Sequence, residues 1–195
     1  MSNNCLLPFY KSTQKRLHDT LRNLANFTSV PSYVGMKTSV EKRLDKAIRR
    51  YLEKNQLKYR VDGDGDFHLV AGFPDMAIKA RLIILKEGEN KEILSLVAKY
   101  DGLYFLSDAE ALQKANEWNR SKRWPRVYWR DGHFYGDFHL DCEFGFSEKL
   151  VEGAIHRFLG GAMQFLMYLE EESKKRQKEI EHFHLGFTKP SDLPN

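Results

Sequence analysis

The segment Trp118–Arg130 (WNRSKRWPRVYWR) combines the residue types most able to bind a macromolecule. It interleaves five cations with three tryptophans and a tyrosine. Aromatic rings can stack on bases while cations pair with phosphates, which is how single strands are held. Trp, Tyr and Arg are also the side chains that anchor most protein–protein interfaces. Because short basic segments are low-specificity signals for nucleic acid, we predict that this segment docks a protein and keep nucleic-acid binding as the alternative.

The candidate partner-binding residues lie in this segment and just before it. They are two asparagines, three aromatic and two basic side chains: Asn116, Trp118, Asn119, Trp124, Arg126, Tyr128 and Arg130. A structural role would explain part of the same pattern. Trp118, Val127 and Trp129 would then face a core while Arg126, Tyr128 and Arg130 face water, which alternation along the strand supports. The asparagines lie near a predicted helix end, where such side chains bond local backbone groups; alternatively, they line a groove between helix and sheet.

An acidic turn, Asp62-x-Asp64-x-Asp66, has the spacing of calcium ligands. An EF-hand loop needs glycine at its sixth position and glutamate at its twelfth. Those positions are occupied here by Phe67 and Phe73. The sequence therefore predicts a solvated turn and no calcium site.

Catalytic and cofactor motifs are missing from the sequence. His133, His139 and Asp141 share one face of a predicted strand, but three candidate ligands without a fourth are a weak metal signal. Cys142 ends the same strand on its apolar face, which favours a buried thiol over a nucleophile. No GxSxG, HExxH, paired CxxC, P-loop or GxGxxG occurs. We therefore predict that the protein is not an enzyme and has no catalytic residue, metal or cofactor.

The composition is that of a globular protein with one main domain. The chain has 195 residues, of which 42% are hydrophobic, and no apolar run approaches the roughly 20 residues that a bilayer crossing needs. We predict no membrane partner. Two cysteines are too few for a disulfide framework, and the start, MSNNCLLPFYKS, has no basic leader before an apolar stretch. The cytoplasm is therefore the expected location.

The hydrophobic pattern predicts an α+β fold. Helices are expected over residues 11–26 and from Thr38, Ser107 and Ser147, and strands over 57–61, 67–71, 77–86, 92–100, 126–130 and 133–142. Runs of strands with helices outside them favour an antiparallel sheet covered by helices on one face, with the other face wet. Asp131-Gly132 is the strongest hairpin signal. Gly160-Gly161, inside the last helix, predicts close packing or a bend.

Two segments, Ala115-Asn116-Glu117-Trp118-Asn119 and Ala47–Tyr59 before the acidic turn, resemble the YbjN family, bacterial proteins described as sensory transduction regulators. The resemblance covers residues 38–169 and transfers one motif, the spacing of Asn116 and Asn119. It implies a fold similar to type III secretion chaperones, although this chain has one predicted strand more in its first half. The implied division is an N-terminal helical extension over 1–37, a YbjN-like domain over 38–172, and a charged extension with a loose tail over 173–195.

The resemblance also implies a function. It indicates a non-catalytic, protein-binding regulator or chaperone-like adaptor, and it supplies no ligand or catalytic residue. The partner is an unidentified protein. A homodimer is a further expectation, because an open sheet face or edge exposes groups that pairing would cover.

Overall fold

The computed structural model describes residues 39–102 and 104–186, with side chains through residue 182. The helix predicted over 11–26 and Cys5 lie outside these residues. The helices are α1 (Ser39–Lys54), α2 (Asp108–Ser121) and α3 (Glu148–Gly186). The strands are β1 (Arg60–Val61), β2 (Phe67–Ala71), β3 (Lys79–Glu87), β4 (Ile93–Asp101), β5 (Arg126–Arg130) and β6 (His133–Asp141). They form one antiparallel sheet in the order β1-β2-β3-β4-β6-β5.

The predicted α+β class and the position of the helices are confirmed. Buried residues of all three helices join one hydrophobic cluster with a single face of the sheet. The extra strand of the first half is also present, but it is the two-residue β1. It is shorter than predicted because the chain is still bonded to α1 at Leu57, whose N–H closes the helix end by donating to the Leu52 carbonyl at 2.9 Å.

The prediction of a wet second face is wrong for the two central strands. Ile83 and Leu85 of β3 and Val97 of β4 point away from the helices, yet all three side chains are buried. Their strands carry continuous apolar runs such as LIIL, which are typical of strands buried on both faces. The wet face was predicted from the alternation of polar and apolar residues in β6, and this alternation does not extend to β3 and β4.

Helix α3 runs through residue 172 without interruption. Just beyond the apolar stripe, Glu170 accepts hydrogen bonds from the backbone N–H groups of Ala77 and Ile78 at 3.2 and 3.0 Å. Glu172 pairs with Lys114 of α2 at 2.7 Å. Within the charged extension itself, Ser173 is buried and Arg176 pairs with Glu110 of α2. The predicted solvated character therefore begins only after Arg176, and residues 177–182 are exposed. None of the described helices is long and apolar enough to cross a membrane.

A candidate partner-binding site beside strand β5

The seven candidate residues lie at one edge of the sheet, on α2, on the turn after it and on β5. They differ in how much surface they offer. Trp118 is only 6% exposed and Trp129 is half-buried, whereas Trp124 is 36% exposed. Asn116 and Arg126 are exposed, and Tyr128 and Arg130 are half-buried. The segment therefore presents one accessible tryptophan, not a row of three.

Trp118 and Trp129 have structural roles, as the strand alternation indicated. The Trp118 ring packs edge-on against Phe165 of α3 with centroids 4.9 Å apart, and its Nε1–H donates to the Pro125 carbonyl at 3.1 Å. The Trp129 ring packs against Phe134 at 4.7 Å, and its Nε1–H donates to Asp108 at the start of α2. Both rings fasten α2 and α3 to the sheet.

Asn119 ties the end of α2 to the edge of β5. Its Nδ2–H donates to the Val127 carbonyl at 2.7 Å, and its Oδ1 accepts from the Val127 N–H at 2.9 Å. Arg126 in turn donates to the Asn119 carbonyl at 2.9 Å. The role is structural, as favoured by the sequence, but the partner is a neighbouring strand and not the helix's own end. The side chain acts as a one-residue strand and closes the edge at Val127.

The Trp124–Pro125 peptide, which is cis, packs closely against two glycines, Gly136 and Gly161. We call these two glycines the seat of Trp124. A Cβ on Gly161 of α3 would lie 2.7 Å from the Trp124 carbonyl oxygen, and a Cβ on Gly136 of β6 would lie 3.1 Å from the Pro125 ring. This confirms the predicted close packing at Gly161. The seat fixes the turn against both α3 and β6.

Trp124 stands on this seat with part of its ring in solvent. One edge packs against Phe138 of β6 with centroids 5.4 Å apart. The Arg157 guanidinium lies 5.8 Å from the ring centroid, within the range of a cation–π contact. Exposed Arg123 and Arg126 flank the same turn. We call Arg123, Trp124, Arg126 and Arg157 the Trp124 surface.

Two further candidates, Tyr128 and Arg130, lie on the second face of the sheet, while Asn116 is exposed on α2. The Tyr128 ring stacks on Tyr135 of β6 with centroids 5.6 Å apart and planes 12° apart. Arg130 pairs with Asp131 of the hairpin turn at 3.0 Å. Strand alternation separates these side chains from the core-facing side chains of β5.

A polar cluster that the sequence did not indicate lies on the second face, where β3, β4 and β6 are adjacent. The Ser95 hydroxyl donates to the Glu87 carboxylate. Because the hydroxyl proton goes to Glu87, Nδ1–H of His139 must donate to Ser95 Oγ, 2.8 Å away. The other ring nitrogen of His139 lies 3.8 Å from Asp137, whose carboxylate raises the pKa of the imidazole despite the opposing effect of burial.

This cluster has the composition of a Ser-His-Asp triad but not its chemistry. A nucleophilic serine needs an accessible oxygen and a base that takes its proton. Ser95 has no exposed surface, and Glu87 already accepts its proton.

His133 lies six residues from His139 on one strand, about 20 Å away at the usual rise of a strand. Burial also raises the pKa of Cys142 to about 11, with Asp141 adding to the effect, so this thiol stays protonated near neutral pH.

The acidic turn is only partly solvated, which corrects the prediction. Asp64 is exposed, but Asp66 is buried. Asp62 accepts from the N–H groups of Asp64 and Asp66 at 3.0 and 2.9 Å and contacts His68 at 2.8 Å. Burial alone would raise the pKa of Asp62, but these hydrogen bonds outweigh it and lower the pKa. Among the described residues, no group of His, Cys, Asp and Glu side chains is arranged to hold a metal ion.

Comparison with known proteins agrees with the resemblance drawn from the sequence. The model of the YbjN family, described as "Putative bacterial sensory transduction regulator", matches residues 45–171. A solved structure titled "Crystal structure of YbjN, a putative transcription regulator from E. coli" is similar at 10% identity with a TM-score of 0.48, covering 68% of this chain and 92% of that chain. No curated protein matches. Since the family match spans more than half of the sequence, the chain belongs to the YbjN family.

Proposed function

We propose that this protein is a non-catalytic regulator or chaperone-like adaptor that binds another protein through the Trp124 surface. The observation that carries the proposal is the exposed Trp124 ring on a turn held by Gly136 and Gly161. A tryptophan on a fixed support loses little conformational freedom when a partner covers it, and such side chains supply much of the energy of protein interfaces. Membership of a regulator family supports the same reading.

The charges around Trp124 indicate the kind of partner. In the part of the chain that the structure describes, the guanidinium groups of Arg123, Arg126 and Arg157 form no ion pair with a carboxylate. The surface is therefore positive around an apolar ring. It fits a protein that offers an apolar pocket for the indole and carboxylates around that pocket. Asn116 of α2, and Tyr128 and Arg130 on the second face of the sheet, remain candidates.

The arrangement of the rings also supports a protein partner over the nucleic-acid alternative. Stacking on successive bases needs several accessible rings along one groove. Trp118 is buried, and the half-buried Trp129 ring packs against Tyr104 and Phe134, so neither ring is a free stacking platform. This arrangement favours protein binding.

Two further expectations belong to this proposal. We place the protein in the cytoplasm, and the unpaired, buried thiol of Cys142 supports a reducing compartment. We also divide the chain into a domain over 38–172 with extensions over 1–37 and 173–195. The limits of the family match, 45–171, support the middle part of this division.

The test begins with capture of partners from a lysate of the source organism by wild type, Trp124→Ala and Phe144→Ala. Phe144 is a control because it is an aromatic side chain that is 95% exposed outside the Trp124 surface. The partner protein is then purified and titrated against each variant by calorimetry. Loss of a central interface tryptophan typically costs at least 2 kcal/mol, so we expect binding to weaken about 30-fold for Trp124→Ala. Phe144→Ala should bind as wild type does.

Two results would contradict the proposal. Unchanged binding by Trp124→Ala would remove the Trp124 surface. Recovery of nucleic acid alone, lost steeply as salt rises, would replace protein binding with the electrostatic binding of a polyanion.

A further inference from the structure

Helix α1 presents a row of cations to solvent. Side chains four residues apart on a helix lie on one side of it, one turn above the other. Lysines and an arginine follow this spacing from residue 42 to residue 54, about 18 Å along the helix. All of them are exposed, and a half-buried arginine lies beside them. We call this set the α1 basic face: Lys42, Lys46, Arg49, Arg50 and Lys54.

Most of these charges have no carboxylate beside them. Among the described side chains, Arg50 is the one member of the set with ion pairs, to Glu148 at 2.7 Å and to Glu152 at 3.8 Å. Asp45 of the same helix is buried and pairs with Lys86 of β3. Like charges four residues apart destabilise a helix. Helix α1 therefore carries a repulsion that carboxylates from another molecule would relieve.

The charged extension of α3 shows how a solvated helix surface of this protein is built. Lys174 pairs with Glu170 at 3.3 Å, and Lys175 pairs with Glu171 and Glu172, both at 3.2 Å. Charges of opposite sign alternate there, which is typical of a helix surface that faces only water. The α1 basic face lacks this alternation, so its charge is available to a partner.

We infer that the α1 basic face binds an acidic helical segment of another protein, with a glutamate or aspartate at every fourth position. Carboxylates at this spacing recur about every 6 Å along a helix, as the cations of α1 do. Each turn of the partner helix can therefore meet one cation. Part of the face is concave, since Lys46, Arg49, Arg50, Glu53 and Lys54 line an open groove. Complementary charges of this kind fix the register of two partners and speed their association.

Glu53 favours a protein over a nucleic acid at this face. Its carboxylate lies in the same groove and accepts a hydrogen bond from the Tyr59 hydroxyl at 3.2 Å. A phosphate backbone is negative at every step and would be repelled there, whereas a protein helix can place a neutral or basic residue opposite Glu53. The face also lacks a platform for bases, because Tyr51, the aromatic residue of α1, is 7% exposed.

The test titrates the full chain against a synthetic helical peptide of Glu-Ala-Ala-Ala repeats, followed by fluorescence anisotropy at low salt. A second peptide has the same composition, with its glutamates grouped at one end. Because the cations of α1 are spread over several turns, wild type should bind the grouped peptide about tenfold more weakly than the repeat peptide.

Two triple variants locate the binding. Lys42→Glu, Lys46→Glu and Lys54→Glu combined should weaken binding of the repeat peptide at least tenfold. The matched control combines Lys174→Glu, Lys175→Glu and Lys178→Glu, which changes the net charge equally on the exposed α3 extension, and it should bind within about twofold of wild type. All six side chains are exposed, so both variants should keep the circular dichroism of wild type.

Four results would overturn this inference. They are no binding of the repeat peptide by wild type, equal binding of the two peptides, equal loss in the two triple variants, and tighter binding of oligothymidine than of the peptide at the same face. The inference does not rest on the proposed function. Trp124→Ala should bind the repeat peptide as wild type does, whereas the α1 variant should keep the partner of the Trp124 surface.

Discussion

The two edges of the sheet differ in what bonds the outward backbone groups of their strands. At β5, the amide of Asn119 bonds both the N–H and the C=O of Val127. At β2, residues beyond the two-residue β1 keep an uncharged edge with Val70 exposed. The Asn119 amide therefore takes the place of a neighbouring strand at one residue of β5, whereas β1 pairs with only two residues of β2. The comparison shows that one side chain can bond an edge residue where the described residues add no further strand.

The largest effect on the difference between the two edges is expected from replacing Asn119. Replacement by alanine leaves the N–H and C=O of Val127 without their partners, and each buried unpaired group costs about 1–3 kcal/mol. We expect Asn119→Ala to lower the free energy of unfolding by about 3 kcal/mol, measured by urea denaturation.

Asn116 provides the matched control for that experiment. It lies one helical turn earlier on α2 and is exposed. Asn116→Ala should change stability by less than about 0.5 kcal/mol. Equal effects of the two replacements would show that the bonds from Asn119 to Val127 do not hold the edge.

A smaller effect is expected at the seat of Trp124. The methyl group of Gly161→Ala would meet the Trp124 carbonyl oxygen at 2.7 Å. Overpacking of this kind costs about 1–3 kcal/mol, and improved helix propensity returns about 1 kcal/mol. We expect a net loss of up to about 2 kcal/mol in thermal or urea unfolding, with weaker partner binding because the turn beside β5 must shift.

Gly160 is the control for Gly161. A Cβ there would meet nothing within 4 Å, so Gly160→Ala should stabilise the protein by up to about 1 kcal/mol through helix propensity alone. A loss of stability for Gly161→Ala together with a gain for Gly160→Ala would support the conclusion that α3 holds the turn beside β5. Stabilisation by both replacements would contradict it.

The smallest effect is a dependence on pH that comes from His139 of β6, which pairs with Ser95 of β4. Asp137, opposite Arg126 in the register, raises the pKa of His139 in the folded state. The stabilisation from the charged imidazole is therefore fully present below its unfolded pKa of about 6.5 and is lost as pH rises through the folded pKa. Unfolding of wild type and His139→Gln across a pH series should show the difference shrinking as pH rises. A difference that grows with pH would contradict this assignment.

Features with local causes could be predicted from the sequence. Asp131 and Gly132 both have positive φ, at 50° and 73°, as the hairpin signal requires. The capping box of Ser107 and Glu110 is present at the start of α2. In each case the residues that form the feature are at most three positions apart, so propensity and spacing contain the needed information.

The site depended on geometry that spacing does not contain. Trp118, Trp124 and Trp129 are the same residue type in one segment, and only the packing of α2 and α3 decides which ring is exposed. Asn119 finds its partner eight positions away across a turn. The cluster around Ser95 needed the register of three strands, because Glu87, Ser95 and His139 are far apart in the chain. The prediction of partner-binding residues remains to be tested by the variants above.

The seat of Trp124 also has a consequence for sequence divergence. A Cβ on Gly136 would meet the side chain of Pro125, whereas a Cβ on Gly161 would meet the backbone oxygen of Trp124. A smaller residue at 125 could relieve the first clash, but no exchange of side chains can relieve the second. Among homologues that keep this turn, positions 125 and 136 should therefore covary, while position 161 should stay glycine whatever the other two become.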